Sequence, residues 1–193
     1  TAGQTTGALL AQTNAGSYDV FLRKSDADGN VLWSRQFGTA ADDRCTGVLA
    51  TATGVYVLGQ TSGTLAGQTN SGYLDAFLAK YSPDGHLVWT RQFGSSANDY
   101  PRGIAADDSG VYVAGFTSGV MTGQENAGGT DAFLRKYDFD GGVQWTRQFG
   151  TSAEDRPYAL AADGSGVYLA GGTTGSLVEG YTNPGSYDVF IHQ

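Results

Sequence analysis

The sequence predicts an all-β fold made of repeated four-stranded antiparallel sheets, and three observations lead there. First, the chain of 193 residues repeats itself every 56: Asp19, Asp75 and Asp131 open D-[VA]-F-L, and Trp33, Trp89 and Trp145 keep the same step. So do Phe37, Phe93 and Phe149 at the end of R-Q-F, and Gly59, Gly115 and Gly171 at the end of VYVLG, VYVAG and VYLAG. A period of this size marks solenoids, propellers and arrays. Second, each unit alternates polar and apolar residues with the period of a strand, and no helical period interrupts it. Third, Asp-Gly and Ser-Gly turns fall between these runs, where positive φ is needed.

In the clearest unit the elements follow in order. D-A-F-L-A-K-Y (75–81) alternates Phe77, Ala79 and Tyr81 against Ala76, Leu78 and Lys80. Pro83-Asp84-Gly85 turns the chain into 86–94, where strict alternation places Leu87, Trp89, Arg91 and Phe93 on one face. After a polar loop, R-G-I-A-A-D (102–107) reads as a strand of small residues. Asp108-Ser109-Gly110 then leads into V-Y-V-A-G-F-T (111–117).

Both faces of these strands are moderately apolar, so one unit cannot bury its surface alone and neighbours must stack on it. Four strands per repeat, covered on both faces, describe a β-propeller blade. The small residues Gly103, Ala105 and Ala106 suit the crowded inner position, and the Trp-bearing strand suits the outer edge. The string D-A-F-L-x-K-Y-x-x-D-G-x-x-x-W-T-R-Q-F-G, followed by D-x-x-x-x-[IL]-A-A-D-x-S-G-V-Y-[VL]-A-G, resembles the SBBP-type bacterial β-propeller repeat over essentially the whole chain. The first full copy departs at Thr51, where the others have Asp107 and Asp163. The resemblance implies architecture, a secreted or cell-surface setting in bacteria and no shared catalytic signature.

Taking the small-residue strand as innermost, the chain is one repeat region. It divides into a partial blade (1–43), two full blades (44–99 and 100–155) and a partial blade (156–193). The last copy has an additional residue near Glu179, in a loop where insertions cost little. About three blades are present, whereas closed propellers have four to eight. The chain begins at Thr1 inside a repeat, as a partial polypeptide would. Its open faces are covered by further blades of the same polypeptide, by a second copy in a homo-oligomer, or by other protein modules.

Composition narrows the partners. Thirty glycines against four prolines fit many tight turns, and 40% hydrophobic residues exclude a disordered chain. Eleven basic against nineteen acidic residues give a net charge of −8 without a basic face, which excludes nucleic acid. No apolar run reaches the roughly 18 residues of a membrane span. The lone Cys45 stands where Pro101 and Pro157 stand, as a packed side chain. His86 and His192 are isolated, so a transition-metal site is not expected. No nucleophile elbow, phosphate loop or dinucleotide fingerprint appears.

Several repeated residues could carry chemistry. Asp19, Asp75, Asp131 and Asp188 open strands, and Asp43, Asp99 and Asp155 follow the R-Q-F-G loop. As ligands they would suit calcium; as turn carboxylates they accept backbone N–H bonds, which is the expected role. Asp26-Ala27-Asp28-Gly29-Asn30 and Asp138-Phe139-Asp140-Gly141 look like the start of a calcium loop but lack the later ligands and the bidentate Glu. Asn14, Asn70, Asn126 and Asn183 recur in a polar loop of about a dozen residues. With Tyr18, Tyr73 or Tyr187 beside them, they form the candidate site for hydrogen bonding and stacking on a sugar. Trp33, Trp89, Trp145, Phe37, Phe93 and Phe149 are expected to pack between blades, and Arg35, Arg91 and Arg147 to pair with a carboxylate of the next blade.

The copies differ mostly by conservative exchange, whereas catalysis on a propeller needs one unlike blade. A non-catalytic structural or protein-interaction module without a cofactor is therefore expected. The alternative is a glycan- or calcium-binding propeller that uses the Asn/Asp loops.

Overall fold

A computed structural model describes residues 1–176 and 188–192. Fourteen strands form four antiparallel sheets, and no helix is present among the described residues. The fold is that of β-propeller blades, each a meander of strands joined by tight turns. Contact density divides the chain into two compact units, Thr1–Phe93 and Gly94–Gln193.

The first unit holds two sheets. One is three-stranded: β1 (Ala2–Thr5), β2 (Asp19–Ser25) and β3 (Val31–Phe37). The other is four-stranded: β4 (Asp43–Thr51), β5 (Gly54–Thr61), β6 (Asp75–Tyr81) and β7 (Leu87–Phe93), in that order. The small-residue strand β4 and the Trp strand β7 thus lie at opposite edges. Every residue of β6 is buried, as a central strand covered on both faces requires. Val20 and Leu22 of the first sheet pack on Val57, Phe77, Ala79 and Tyr81 of the second. Phe37 meets Phe77 edge to face, with ring centroids 5.8 Å apart.

The second unit repeats the plan. Its four-stranded sheet runs β8 (Asp99–Asp107), β9 (Gly110–Thr117), β10 (Asp131–Tyr137) and β11 (Val143–Phe149). Its three-stranded sheet runs β12 (Asp155–Asp163), β13 (Gly166–Thr173) and β14 (Asp188–His192). All of β9 is buried. The small-residue strands approach closely here: a Cβ on Gly103 would come within 2.7 Å of Leu160 Cβ, so glycine is what lets β8 and β12 meet.

One expectation is corrected. Lys80 pairs with Trp89 but Tyr81 pairs with Leu87, so a bulge at Val88 interrupts β7. Leu87 therefore faces opposite to Trp89, not with it, and both Leu87 and Val88 are exposed. The same register shift recurs between Lys24 and Ser25 and between Lys136 and Tyr137.

Candidate functional site

The long polar loop of each repeat is tied down by one glutamine. Gln92, from R-Q-F-G, accepts at Oε1 from Leu65 N (2.9 Å) and donates from Nε2 to Gly63 O (2.9 Å) and Asp75 Oδ2 (3.0 Å). Its own N–H donates to Gln68 Oε1 at 3.0 Å. Gln36 and Gln148 make the same set of bonds in their repeats. A buried apolar residue, Leu65 or Met121, anchors the loop beneath this clamp. A tight turn follows in which Gly67 and Gly123 take positive φ, of 71° and 73°. These glutamines were not singled out from the sequence, although their exact repetition in R-Q-F-G carried the information.

The asparagines face into the same loops. Asn70 donates to Gly63 O (3.1 Å) and accepts from Gly72 N (2.9 Å), and Asn126 does the same with Gly119 O and Gly128 N. Asn14 accepts from Gly16 N, while its buried Nδ2 has no partner among the described residues. The amides of Asn70 and Asn126 are thus committed to loop geometry. The tyrosines do not share one environment: Tyr73 is 79% exposed at a loop tip, whereas Tyr18 is half-buried with the Arg44 guanidinium 4.6 Å above its ring. Asn183 and Tyr187, together with Glu179 and the His192 side chain, lie outside the described residues.

The strand-opening aspartates Asp19, Asp75 and Asp131 are fully buried, whereas Asp188 is partly buried. Asp19 Oδ2 accepts from Ala15 N (2.8 Å), Asp75 Oδ2 from Ser71 N (2.7 Å) and Asp131 Oδ2 from Ala127 N (2.8 Å), each in addition to its glutamine. Asp43, Asp99 and Asp155 accept from the N–H and hydroxyl of Thr39, Ser95 and Thr151 respectively. Asp19 and Asp43, from neighbouring sheets, converge on Gly38: a Cβ there would lie 2.5 Å from Asp19 Oδ1 and 2.8 Å from Asp43 Oδ2. Asp131 and Asp155 frame Gly150 in the same way, each 2.7 Å from that position. Oδ1 of Asp19, Asp131 and Asp155 accepts no hydrogen bond among the described residues. Burial first, and then the nearby Asp19 charge, push the Asp43 carboxyl above the ordinary range, opposed by hydrogen bonds from Thr61 and Thr39. Among the described residues no three His, Cys, Asp or Glu side chains gather as a metal cluster. Asp26 and Asp138 spend their carboxylates on their own turns, accepting from Asp28 and Asn30 N–H and from Asp140 and Gly142 N–H.

Residues 88–120 match the sequence model of the SBBP family, described as beta-propeller repeat. This segment is an SBBP β-propeller repeat. Two relatives are similar over most of the chain. Regulatory protein FlaEY of Caulobacter vibrioides is 30% identical over 98% of this chain and 19% of its own length. Uncharacterized WD repeat-containing protein L264 of Acanthamoeba polyphaga mimivirus is 25% identical over 80% of this chain and 14% of its own. The chain therefore spans less than a fifth of either relative.

Successive repeats in the first unit grip one another at the outer edge. Trp33 Nε1 and Lys24 Nζ both donate to Pro83 O, at 3.1 and 3.0 Å, and Arg35 Nε donates to Gly85 O at 2.6 Å. Arg35 thus binds a carbonyl of the neighbouring turn instead of the carboxylate expected, and its guanidinium stacks 5.6 Å from the Trp33 ring centre. A backbone carbonyl serves because the Asp-Gly turn points its oxygens at the donors, and Gly85 lets the ring lie flat: a Cβ there would come within 2.7 Å of it. Cys45 is half-buried against the first unit's core, and burial raises its thiol pKa.

The Thr51 departure has a visible cost. In the next copy Tyr112 OH donates to Asp107 Oδ2 at 2.9 Å. Thr51 instead turns its hydroxyl to Gly54 O, and the buried Tyr56 OH has no hydrogen-bond partner among the described residues.

Proposed function

We propose that this SBBP repeat region is a non-catalytic scaffold that presents loops to other proteins on a secreted or cell-surface polypeptide. The observation that carries this reading is the loop clamp. The repeated Gln, Asn and Asp side chains bind their own loops and so hold them in one shape, while the residues pointing outward differ from copy to copy. Ser17, Tyr73 and Gly129 occupy the same place in successive repeats. A rigid frame with variable tips is what recognition of protein surfaces needs.

The relatives support this direction, since one is described as a regulatory protein and the other as WD repeat-containing. The surface setting rests on the SBBP resemblance. The near-identity of the copies supports a non-catalytic role, because a reaction centre needs one repeat unlike the others.

A photo-crosslinking amino acid at Tyr73, in the polypeptide as the cell makes it, tests the reading. The expected result is one discrete crosslinked protein band, lost when the probe is moved to exposed Asp84 on the opposite turn. Crosslinks to no protein from any of the described loops would contradict it. Protease added to intact cells should cleave these loops if the region is outside.

A further inference from the structure

The outer-edge grip of the first unit recurs in the second without its occupant. Trp145, Arg147 and Lys136 hold the places of Trp33, Arg35 and Lys24. The platform is built alike: the Arg147 guanidinium stands 6.0 Å from the Trp145 ring centre, as Arg35 stands 5.6 Å from Trp33. Arg147 donates from Nη1 to Thr146 O, as Arg35 donates to Ser34 O. Yet Trp145 Nε1 makes no hydrogen bond among the described residues, Arg147 is exposed, and Lys136 Nζ turns back to Ser109 Oγ at 2.7 Å.

We propose that Trp145, Arg147 and Lys136 form a docking cleft for an Asp-Gly hairpin turn, supplied by a continuing SBBP repeat of the same polypeptide. This rests on the scaffold reading above. The occupant follows from the first unit, where the same three donors take two carbonyl oxygens of the turn that precedes β7. In the last sheet the corresponding place is beside β14, where no fourth strand lies among the described residues. The turn starts at the same spacing after each opening aspartate (Asp19 to Asp26, Asp75 to Ser82, Asp131 to Asp138), which for Asp188 falls beyond Gln193. The relatives are more than five times longer than the stretch they share with this chain, so length for such a repeat exists in similar proteins. A glycine in the turn is required, because any side chain there would strike the indole as it would at Gly85.

The test compares the chain with a version extended after Gln193 by a copy of Tyr137–Gly150. Exchange of the Trp145 indole N–H, assigned with Trp145→Phe, is followed by NMR. It should slow by roughly tenfold or more in the extended chain, as for a bonded group released only by local opening. Trp145→Phe, which keeps the ring and loses the donor, and Arg147→Ala should each reduce the gain in thermal midpoint. Unchanged indole exchange, whether the added strands fold or stay unfolded, would overturn the cleft. So would indole protection in the unextended chain that grows with protein concentration, since the occupant would then be a second copy. Either failure leaves the loop crosslinks at Tyr73 untouched, so the two readings can fail separately.

Discussion

Asp19 and Asp43 belong to neighbouring sheets, and their carboxylates close on the α-carbon of Gly38 from two sides. The last residue of R-Q-F-G is therefore glycine for lack of space. Gly38→Ala should cost about 1–3 kcal/mol, the usual range for overpacking a filled site. Urea unfolding measures it, and an unchanged midpoint would mean that the carboxylates can move aside.

The Asp43 carboxyl sits above the ordinary carboxylate range, chiefly through burial. The folded state then holds that proton more tightly than the unfolded state. Its stabilising contribution is complete below the unfolded pKa and is lost as pH rises through the folded value. Asp43→Asn keeps an acceptor for Thr39 N–H but cannot ionise. The variant should therefore lose less stability than the parent between the ordinary carboxylate range and neutrality, measured by urea midpoints across that window. Parallel curves would remove Asp43 as the cause. Exposed Asp26 runs the opposite way: hydrogen bonds from Asn30 lower its pKa, so its small contribution is lost on acidification.

Much of this architecture was legible in the sequence. The 56-residue step set the number of strands per unit and the order of small-residue and Trp strands. Strict alternation failed at Val88, because a bulge is a matter of pairing register and leaves no mark in a strand's own pattern. The loop clamp was harder to read. Gln92 and Leu65 lie 27 residues apart, and a bond between them depends on how β7 lies beside its loop. Charge alone points Arg35 to a carboxylate, whereas its Nε donates to a turn carbonyl, Gly85 O. The place of Tyr73 at a loop tip follows from the loop itself; the distinct setting of Tyr18 does not, since Arg44 comes from β4 of the neighbouring sheet.

Thr51→Asp should restore to the first full repeat the acceptor that Asp107 provides for Tyr112. The buried Tyr56 hydroxyl then gains a partner, with an increase in stability of about 1 kcal/mol. A guanidinium unfolding curve that does not move would show that Tyr56 is satisfied in solution by water.

Ala11 holds a positive φ of 58° where Gly67 and Gly123 stand in the later loops. Ala11→Gly should relieve this strain and stabilise the first loop by about 1 kcal/mol. Slower amide exchange at Gln12 is the readout, and faster exchange would contradict it.

The central claim is that the repeated polar residues build the loops and leave recognition to what those loops present. The most direct measurement is the unfolding free energy of Asn70→Ala. Loss of the bonds to Gly63 O and from Gly72 N predicts a decrease of about 1–2 kcal/mol with the strands intact. Unchanged stability, accompanied by loss of binding to a glycan or to calcium, would contradict the account and return Asn70 to the role of a ligand-binding residue.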